Sequence, residues 1–158
     1  MSVEPFNVEP VIRRLRDRTS PQELREVGGR GDYAAIRNLK GFPTPAVFVL
    51  LARERATRTP EGGAMPGEQV SVAQVVDVRF ATVLGARNFR RLSGEELRDE
   101  MRTQAALVRR HLLGWVPDLP GAISCQLVSG DLGAYDNETA LWTDVWSTQH
   151  VITSESAP

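Results

Sequence analysis

The sequence is poor in the residues from which metal sites, disulfides and nucleophilic active sites are built. Its 158 residues include one cysteine, Cys125, and two histidines, His111 and His150. A single cysteine excludes an internal disulfide, so we expect no dependence on an oxidising compartment. Cys125 stands on the apolar parity of a short alternating stretch, where a cysteine is usually a small buried hydrophobe. Two separated histidines and one cysteine do not form a zinc site, so the residues predict no metal, no cofactor and no enzyme.

Lysine and long apolar runs are also scarce. The chain carries one lysine against eighteen arginines, and its formal net charge is −1. That balance gives no general attraction to nucleic acid or to an anionic membrane. No apolar run approaches the roughly 18 residues that a membrane span needs, and we expect no signal peptide. The arginine excess has two explanations: compositional bias, or use at protein interfaces, where the planar guanidinium binds carboxylates in bidentate pairs.

What the sequence does contain is organised around residues 68–93. Valines alternate with other residues up to Phe80 and predict a strand of about fourteen residues, roughly twice the usual length, which is central or protrudes as a ribbon. A capping box, Ser93-Gly94-Glu95-Glu96, then opens an amphipathic helix over about residues 94–113, which Gly114 closes. We expect apolar residues of this helix to pack on those of the strand, namely Leu97, Met101, Val108 and Leu112 on Val76, Val78 and Phe80.

The remaining predicted elements are shorter. A helix over residues 7–18 has a basic outer face that is either solvated or a partner contact, formed by Arg13, Arg14, Arg16 and Arg18. A second capping box, Ser20-Pro21-Gln22-Glu23, predicts a short helix that ends at the glycine-rich turn 28–31. Strands are predicted at residues 46–51, 123–127 and 139–152, with turn residues between 130 and 137.

This order of elements predicts an α+β domain over residues 1–152, followed by a disordered tail, residues 153–158. The expected architecture is a four-stranded, mostly antiparallel sheet with one long and one or two shorter helices on one face. On the last strand, Trp142 and Trp146 flank Asp144. Core packing or a subunit contact is favoured there over stacking on nucleic-acid bases, because no basic stripe accompanies the rings. His150 is expected near the frayed end of this strand.

Residues 53–67 are expected to form a loop, because proline, glycine and arginine occur there without periodicity. About 15 residues is long for a connection between two strands, and loops of that length are usually functional or disordered. Four charged residues, with Glu54 beside them, make the loop a candidate partner contact: Arg53, Arg55, Arg58 and Glu61. The alternative is a disordered insertion without a partner.

Four motifs, in this order and spacing, resemble a known family. They are Pro45-Ala46-Val47-Phe48-Val49, a stretch over residues 78–88 ending in Gly85-Ala86-Arg87-Asn88, the helix end Leu112-Leu113-Gly114-Trp115-x-Pro117, and Trp142-x-Asp144-x-Trp146-x-Thr148. They resemble the tail terminator (tail-completion) proteins of long-tailed bacteriophages, of the Mu-like prophage type. The likeness covers about residues 8–150.

The resemblance implies a structural virion protein rather than an enzyme. In that family an α/β protomer closes into a hexameric ring that caps the tail tube, stops its polymerisation and meets the neck or connector, and DNA passes through the lumen. The implied partners are therefore further copies of the chain, the tail tube protein and the head-tail connector, with no membrane. The implied location is the virion tail or neck, after assembly in the host cytoplasm.

A closed ring needs two different, complementary patches on each protomer. The candidate residues for such contacts are Asp77 and Arg79 on the long strand, with Arg98 and Arg102 on the long helix. Two other functions stay open at this point. One is a different neck or head-completion protein of the virion, and the other, less favoured, is a small cytoplasmic enzyme or binding module.

Overall fold

The computed structural model describes residues 3–35, 44–57, 65–87, 94–135 and 139–154. Within these ranges three helices and five strands form an α+β fold, which confirms the predicted class. In chain order the elements are α1 (Glu9–Arg18), β1 (Glu26–Gly28), α2 (Arg30–Ala35), β2 (Ala46–Ala56), β3 (Ala73–Arg87), α3 (Gly94–Leu112), β4 (Gln126–Tyr135) and β5 (Thr139–Thr153). No helix in the described part of the chain is long and apolar enough to cross a membrane.

The strands form one mixed sheet in the order β1-β2-β3-β5-β4. β3 is central and pairs with β5 along its whole length, from Ala73 opposite Thr153 to Arg87 opposite Thr139. The predicted count of four strands is wrong, because the short β1 adds a fifth strand that runs parallel to β2. Three residues are too few to show a period of two, so β1 left no signal in the sequence. The segment predicted as a helix after Ser20 instead forms a single turn leading to β1, although both hydrogen bonds of its capping box are present.

The side of the sheet formed by Val47, Phe80 and Trp146 is called here the helix-covered face, because α1 and α3 pack on it. The rings of Phe80 and Trp146 stack with centroids 6.4 Å apart, and Phe6 stacks on Phe80 at 6.1 Å. As predicted, Val108 and Leu112 of α3 join the core cluster that contains Val76, Val78 and Phe80. Met101 packs instead with Ala86 and Ala140, and the side chain of Leu97 lies outside the described residues. Helix α3 ends as predicted, since Gly114 has a φ of 80°.

The opposite side, called the second face, carries a smaller apolar cluster of Ala46, Phe48, Val83 and Leu141. Tyr33 of α2 packs there, with its ring centroid 5.8 Å from that of Phe48. The expectation that all helices lie on one face is therefore wrong. Successive residues of β2 alternate between the two clusters, because strand side chains point to opposite faces in turn.

The bounds of three strands differ from the predicted ones. β2 runs on to Ala56 instead of ending at residue 51, because a bulge between Leu51 and Arg53 restores its pairing with β3. β3 begins at Ala73, so that Val70 and Val72 lie outside the sheet and are exposed, and it runs on to Arg87, beyond the predicted end near Phe80. β4 continues through Gly130 and Asp131, which were expected to form a turn. At the end of the chain, Thr153 is part of β5 and the Ser154 amide donates to the Val72 carbonyl, and residues 155–158 lie outside the described residues.

Candidate functional site

Four charged residues lie together on the second face of the β2–β3 ribbon. Arg53 stands directly opposite Arg79, and Arg55 stands directly opposite Asp77. Directly opposite residues of an antiparallel pair point to the same face. We call these four residues the arginine face. They combine two groups that the sequence placed apart, one in a loop and one in a subunit contact.

The arginine face has an uncompensated positive charge. Asp77 is half-buried and accepts a hydrogen bond of 2.7 Å from Gln149 Nε2. Arg53 and Arg79 are exposed, and neither guanidinium has a hydrogen bond or ion pair to another described residue. Like charges directly opposite each other in a sheet are destabilising. The described residues give this pair no partner within the fold, which makes the surface a candidate for contact with another molecule.

The other predicted contact residues do not join this surface. Arg58 and Glu61 lie outside the described residues, as does the side chain of Arg98. Arg102 is exposed on α3, which packs against the helix-covered face, on the far side of the sheet. Arg53 and Arg55 themselves belong to β2 and not to a loop, because the strand continues beyond the bulge.

Glu54 points the other way, into the helix-covered face, and holds the start of the chain in place. Its Oε1 accepts hydrogen bonds from the Phe6 amide and from His150 Nε2, the latter at 2.9 Å. His150 is buried, with its ring edge-on to Phe6 at 5.6 Å. Two expectations are therefore wrong: Glu54 does not border the arginines, and His150 is not at a frayed end. Nothing local in the sequence indicates this pair, because its members are separated by 96 positions.

A second charged constellation joins α3 to β5 beneath the helix. Arg109 Nε and Nη2 donate to the two carboxylate oxygens of Asp144 at 2.8 and 2.7 Å. Trp142 Nε1 also donates to Asp144, and the Arg109 guanidinium lies 5.9 Å from the centre of the Trp142 ring. Asp144 is 1% exposed. The hydrogen bonds that Arg109 donates to Asp144 raise the pKa of Arg109.

Gly130 of β4 lies against this ion pair. A Cβ on Gly130 would stand 2.7 Å from both Asp144 Oδ1 and Arg109 Nη2, so a larger residue would displace the pair. The glycine therefore serves close packing and not the turn that its type suggested. Asp144 and Trp142 belong to the core, as the sequence favoured, because all their polar atoms face groups within the fold.

The arginines of α1 are divided between the fold and the solvent. Arg14 Nε donates to the His111 carbonyl at 3.2 Å, and its guanidinium lies 5.5 Å from the centre of the Trp115 ring. Arg16 Nε donates to the Val27 carbonyl at 2.9 Å. Arg13 and Arg18 are exposed. The basic outer face of α1 is thus partly used to fasten α1 to α3 and β1.

No arrangement for nucleophilic or metal chemistry occurs among the described residues. Cys125 is buried, as expected, and burial raises the pKa of its thiol to about 12, which keeps it protonated near neutral pH. Within residues 3–35, 44–57, 65–87, 94–135 and 139–154, no three His, Cys, Asp or Glu side chains are grouped so that they could hold a metal ion. The arginine face is therefore the best candidate for a functional surface.

A comparison with protein families gives this surface its context. The family model described as "Phage tail terminator protein" matches residues 1–157, essentially the whole chain. The chain belongs to the phage tail terminator family. The resemblance drawn from the four motifs is thereby confirmed, and the match extends beyond residues 8–150 at both ends. No match was found among the curated proteins.

Membership of the phage tail terminator family assigns the protein a structural role in a phage tail. The four motifs lie mostly on central elements of the fold: one is on β2, one is on β3 up to Arg87, one is the end of α3 with the turn after it, and one is the parity of β5 on the helix-covered face. They therefore identify the family through its core. Of the arginine face, Arg79 lies within the second motif, and the other three residues lie outside the four motifs.

Proposed function

We propose that this tail terminator protein closes into a ring, which we expect to be sixfold, that caps the finished phage tail tube. The ring ends tube polymerisation and joins the tail to the neck connector, and DNA passes through its lumen. The observation that carries the proposal is the pair Arg53 and Arg79, two exposed cations side by side with no ion pair to any described residue, in a chain that matches the family over residues 1–157.

A closed ring is built from heterologous contacts, in which one patch of a protomer meets a different patch of the next. The arginine face supplies a cationic patch of this kind. Guanidinium groups suit protein interfaces, because their planar forks bind carboxylates with two hydrogen bonds. Since Arg53 and Arg79 form no ion pair with any described residue, an acid of a neighbouring protomer is the partner that supports a ring.

The connection between β2 and β3 is the proposed contact with the tube or the neck. Thr57 still pairs with Val75, through its amide at 3.0 Å and its hydroxyl at 2.9 Å, so the ribbon stays ordered up to this point. Beyond it, Met65 is 70% exposed and Val70 is 44% exposed. Exposed apolar side chains at the tip of a ribbon suit docking to another subunit.

The oligomer test uses the purified protein and isolated tails. Negative-stain imaging is expected to show rings, either of the free protein or at the head-proximal end of tails. Particles assembled without the protein are expected to carry tails of uncontrolled length that do not join heads. A two-fold dimer in the virion contradicts the ring, and binding to portal assemblies in place of tail tubes contradicts the tail-capping role.

The loop test replaces residues 58–66 by a short Gly-Ser link, which keeps the Thr57 to Val75 pairing. Closure entropy changes slowly with loop length, by about 0.6 kcal/mol per doubling, so the melting temperature should change little. Tail capping or head joining should fail. If the shortened protein still gives infectious particles with tails of normal length, the loop is not the contact.

A further inference from the structure

The sheet has two open edges, one on each side. At one side, β4 pairs with β5 and with no other described strand. At the other side, β1 pairs only with the first three residues of β2, so residues 50–56, which lie clear of that pairing, have no described partner strand beyond them. An unpaired edge presents a row of N–H and C=O groups that can pair with a strand of another chain.

The edge strand β4 is only partly protected against such pairing. It is ten residues long and contains no proline, and irregularities between Leu127 and Ser129 and between Leu132 and Tyr135 leave residues 129–132 as its regular part. Three of its apolar side chains are exposed, with Leu132 at 56% and the others at 37–46%: Leu127, Val128 and Leu132. Contact with another strand would cover part of this apolar surface.

The two edges carry opposite charges on the same face. Asp131 of β4 is exposed and stands opposite Thr143 of β5, so it points to the second face. That is the face on which Arg53 and Arg79 lie near the other edge. An acid at one edge and unpaired arginines at the other form complementary patches, as a head-to-tail contact requires.

The directions of the strands also allow the two edges to pair between copies. β2 and β5 each run antiparallel to β3, and β4 runs antiparallel to β5, so β4 and β2 run in opposite directions within one protomer. Rotation of a copy about an axis parallel to the strands preserves these directions. The β4 edge of one protomer then meets the β2 edge of the next as an antiparallel pair.

The lengths of the two edge strands allow a register in which their opposite charges meet. The open part of β2, residues 50–56, spans roughly 23 Å at about 3.3 Å per residue, and β4 spans roughly 33 Å. Arg53 is the middle residue of that part, and Asp131 lies near the middle of β4. Centring the two strands on each other therefore places Asp131 opposite Arg53.

We propose that neighbouring copies of this chain join edge to edge, β4 of one pairing antiparallel with residues 50–56 of β2 in the next, with Asp131 bound by Arg53 and Arg79 across the contact. This inference rests on the proposed ring and specifies its interface. It leaves the loop after Thr57 free for the tube or the neck, because that loop lies beyond the end of β2.

The test is a charge swap in two chains. One variant carries Asp131→Arg, and the other carries Arg53→Asp together with Arg79→Asp. Alone, each sets like charges against each other at every contact, so the assembled fraction should fall by at least about tenfold, in solution or on tails. Mixed in equal amounts, the two variants should assemble again, because every contact between unlike copies then joins opposite charges. Asp118→Arg, the same change at another exposed acid, is the matched control and should assemble normally.

Each outcome has a distinct meaning. If wild-type protein forms rings and both variants do so equally well, the edge contact is wrong while the ring stands. If each variant fails and the mixture does not recover, Asp131 and the arginines meet different partners, such as the tail tube, and the self-pairing is overturned. If wild-type protein forms no ring in solution or on tails, the proposed function itself fails. Circular dichroism and melting curves of each variant show whether the fold is retained, which is expected because all three side chains are exposed.

Discussion

The two faces of the sheet use arginine in opposite ways. On the helix-covered face, Arg109 donates hydrogen bonds to both carboxylate oxygens of Asp144. Trp142 Nε1 donates a further hydrogen bond to the same carboxylate. On the second face, Arg53 and Arg79 stand side by side, and neither forms an ion pair with another described residue, although Asp77 lies on the same face. A buried carboxylate must be paired or it destabilises the fold, whereas an exposed guanidinium can remain solvated until a partner arrives. The first pair therefore belongs to folding, and we propose that the second serves assembly.

The largest effect is expected from removing core volume under α3. Leu112 is fully buried in the cluster beneath the helix, so Leu112→Ala should lower the free energy of unfolding by about 2–5 kcal/mol. Urea denaturation measures this. Leu113→Ala is the matched control, because its neighbouring side chain is 60% exposed and its loss should cost less than about 0.5 kcal/mol. Similar unfolding energies for the two variants would show that the helix packs through a different face.

A smaller loss is expected from breaking the buried ion pair. Asp144→Asn keeps the side-chain shape but removes the charge that Arg109 faces, and should cost about 1–3 kcal/mol. The value is below that of a fully buried pair because the Arg109 side chain is 35% exposed and stays partly hydrated. Asp131→Asn, at an exposed acid, should leave unfolding unchanged. Equal stability of the two variants would show that the ion pair of Asp144 does not stabilise the fold.

Substitutions on the arginine face should not lower stability, in contrast to the two substitutions in the core. Replacing both Arg53 and Arg79 with Gln removes two like charges that stand opposite each other, so stability should stay constant or rise by up to about 1 kcal/mol. Assembly into rings or onto tails should be lost all the same. Arg13→Gln with Arg18→Gln, two exposed arginines of α1, is the control for charge alone and should assemble. A marked fall in melting temperature for the Arg53 and Arg79 variant would mean that these residues support the fold.

The smallest effect is expected on the pH dependence of stability. Burial, and then the charges of Arg14 and Arg110, lower the pKa of His111 below its ordinary value of 6.5. The unfolded chain therefore binds a proton at this residue more readily than the folded one, so the stabilisation present above pH 6.5 is lost as pH falls through the lowered value. His111→Gln should reduce the drop in stability between pH 7.5 and pH 5, measured by urea denaturation at both values. An unchanged drop would show that His111 does not contribute to the acid sensitivity.

Local signals in the sequence were sufficient for the elements that local interactions form. The extent of α3 follows from a capping box, a helical period and Gly114, all of which act within a few residues. The long β3 and β5 follow from alternation, which needs no knowledge of the partner strand. The family was recognisable for the same reason, since its motifs are the core segments of these elements.

The candidate surface could be predicted only in its residues, and not in its arrangement. Arg53, Arg55, Asp77 and Arg79 were all singled out from the sequence, but in two separate places. One bulge between Leu51 and Arg53 sets the register that brings them together, and the position of a bulge is decided by the pairing of both strands. Arg58 and Glu61 lie outside the described residues, and their role stays a prediction.

By itself, the sequence determined that one long helix and two long strands occur and roughly where they lie, because caps and periodicity depend on neighbours along the chain. The tertiary structure alone decided how the polar residues on the parity of Trp142 and Trp146 are held in the core. Asp144, Thr148 and His150 can face the core because each is hydrogen-bonded there. Arg109 donates to Asp144, Thr148 donates to the Ile123 carbonyl, and His150 bonds to Glu54. Hydropathy predicts polar residues at the surface, and only partners that are distant in the sequence can reverse that preference, since a buried polar group is stable only when it is bonded.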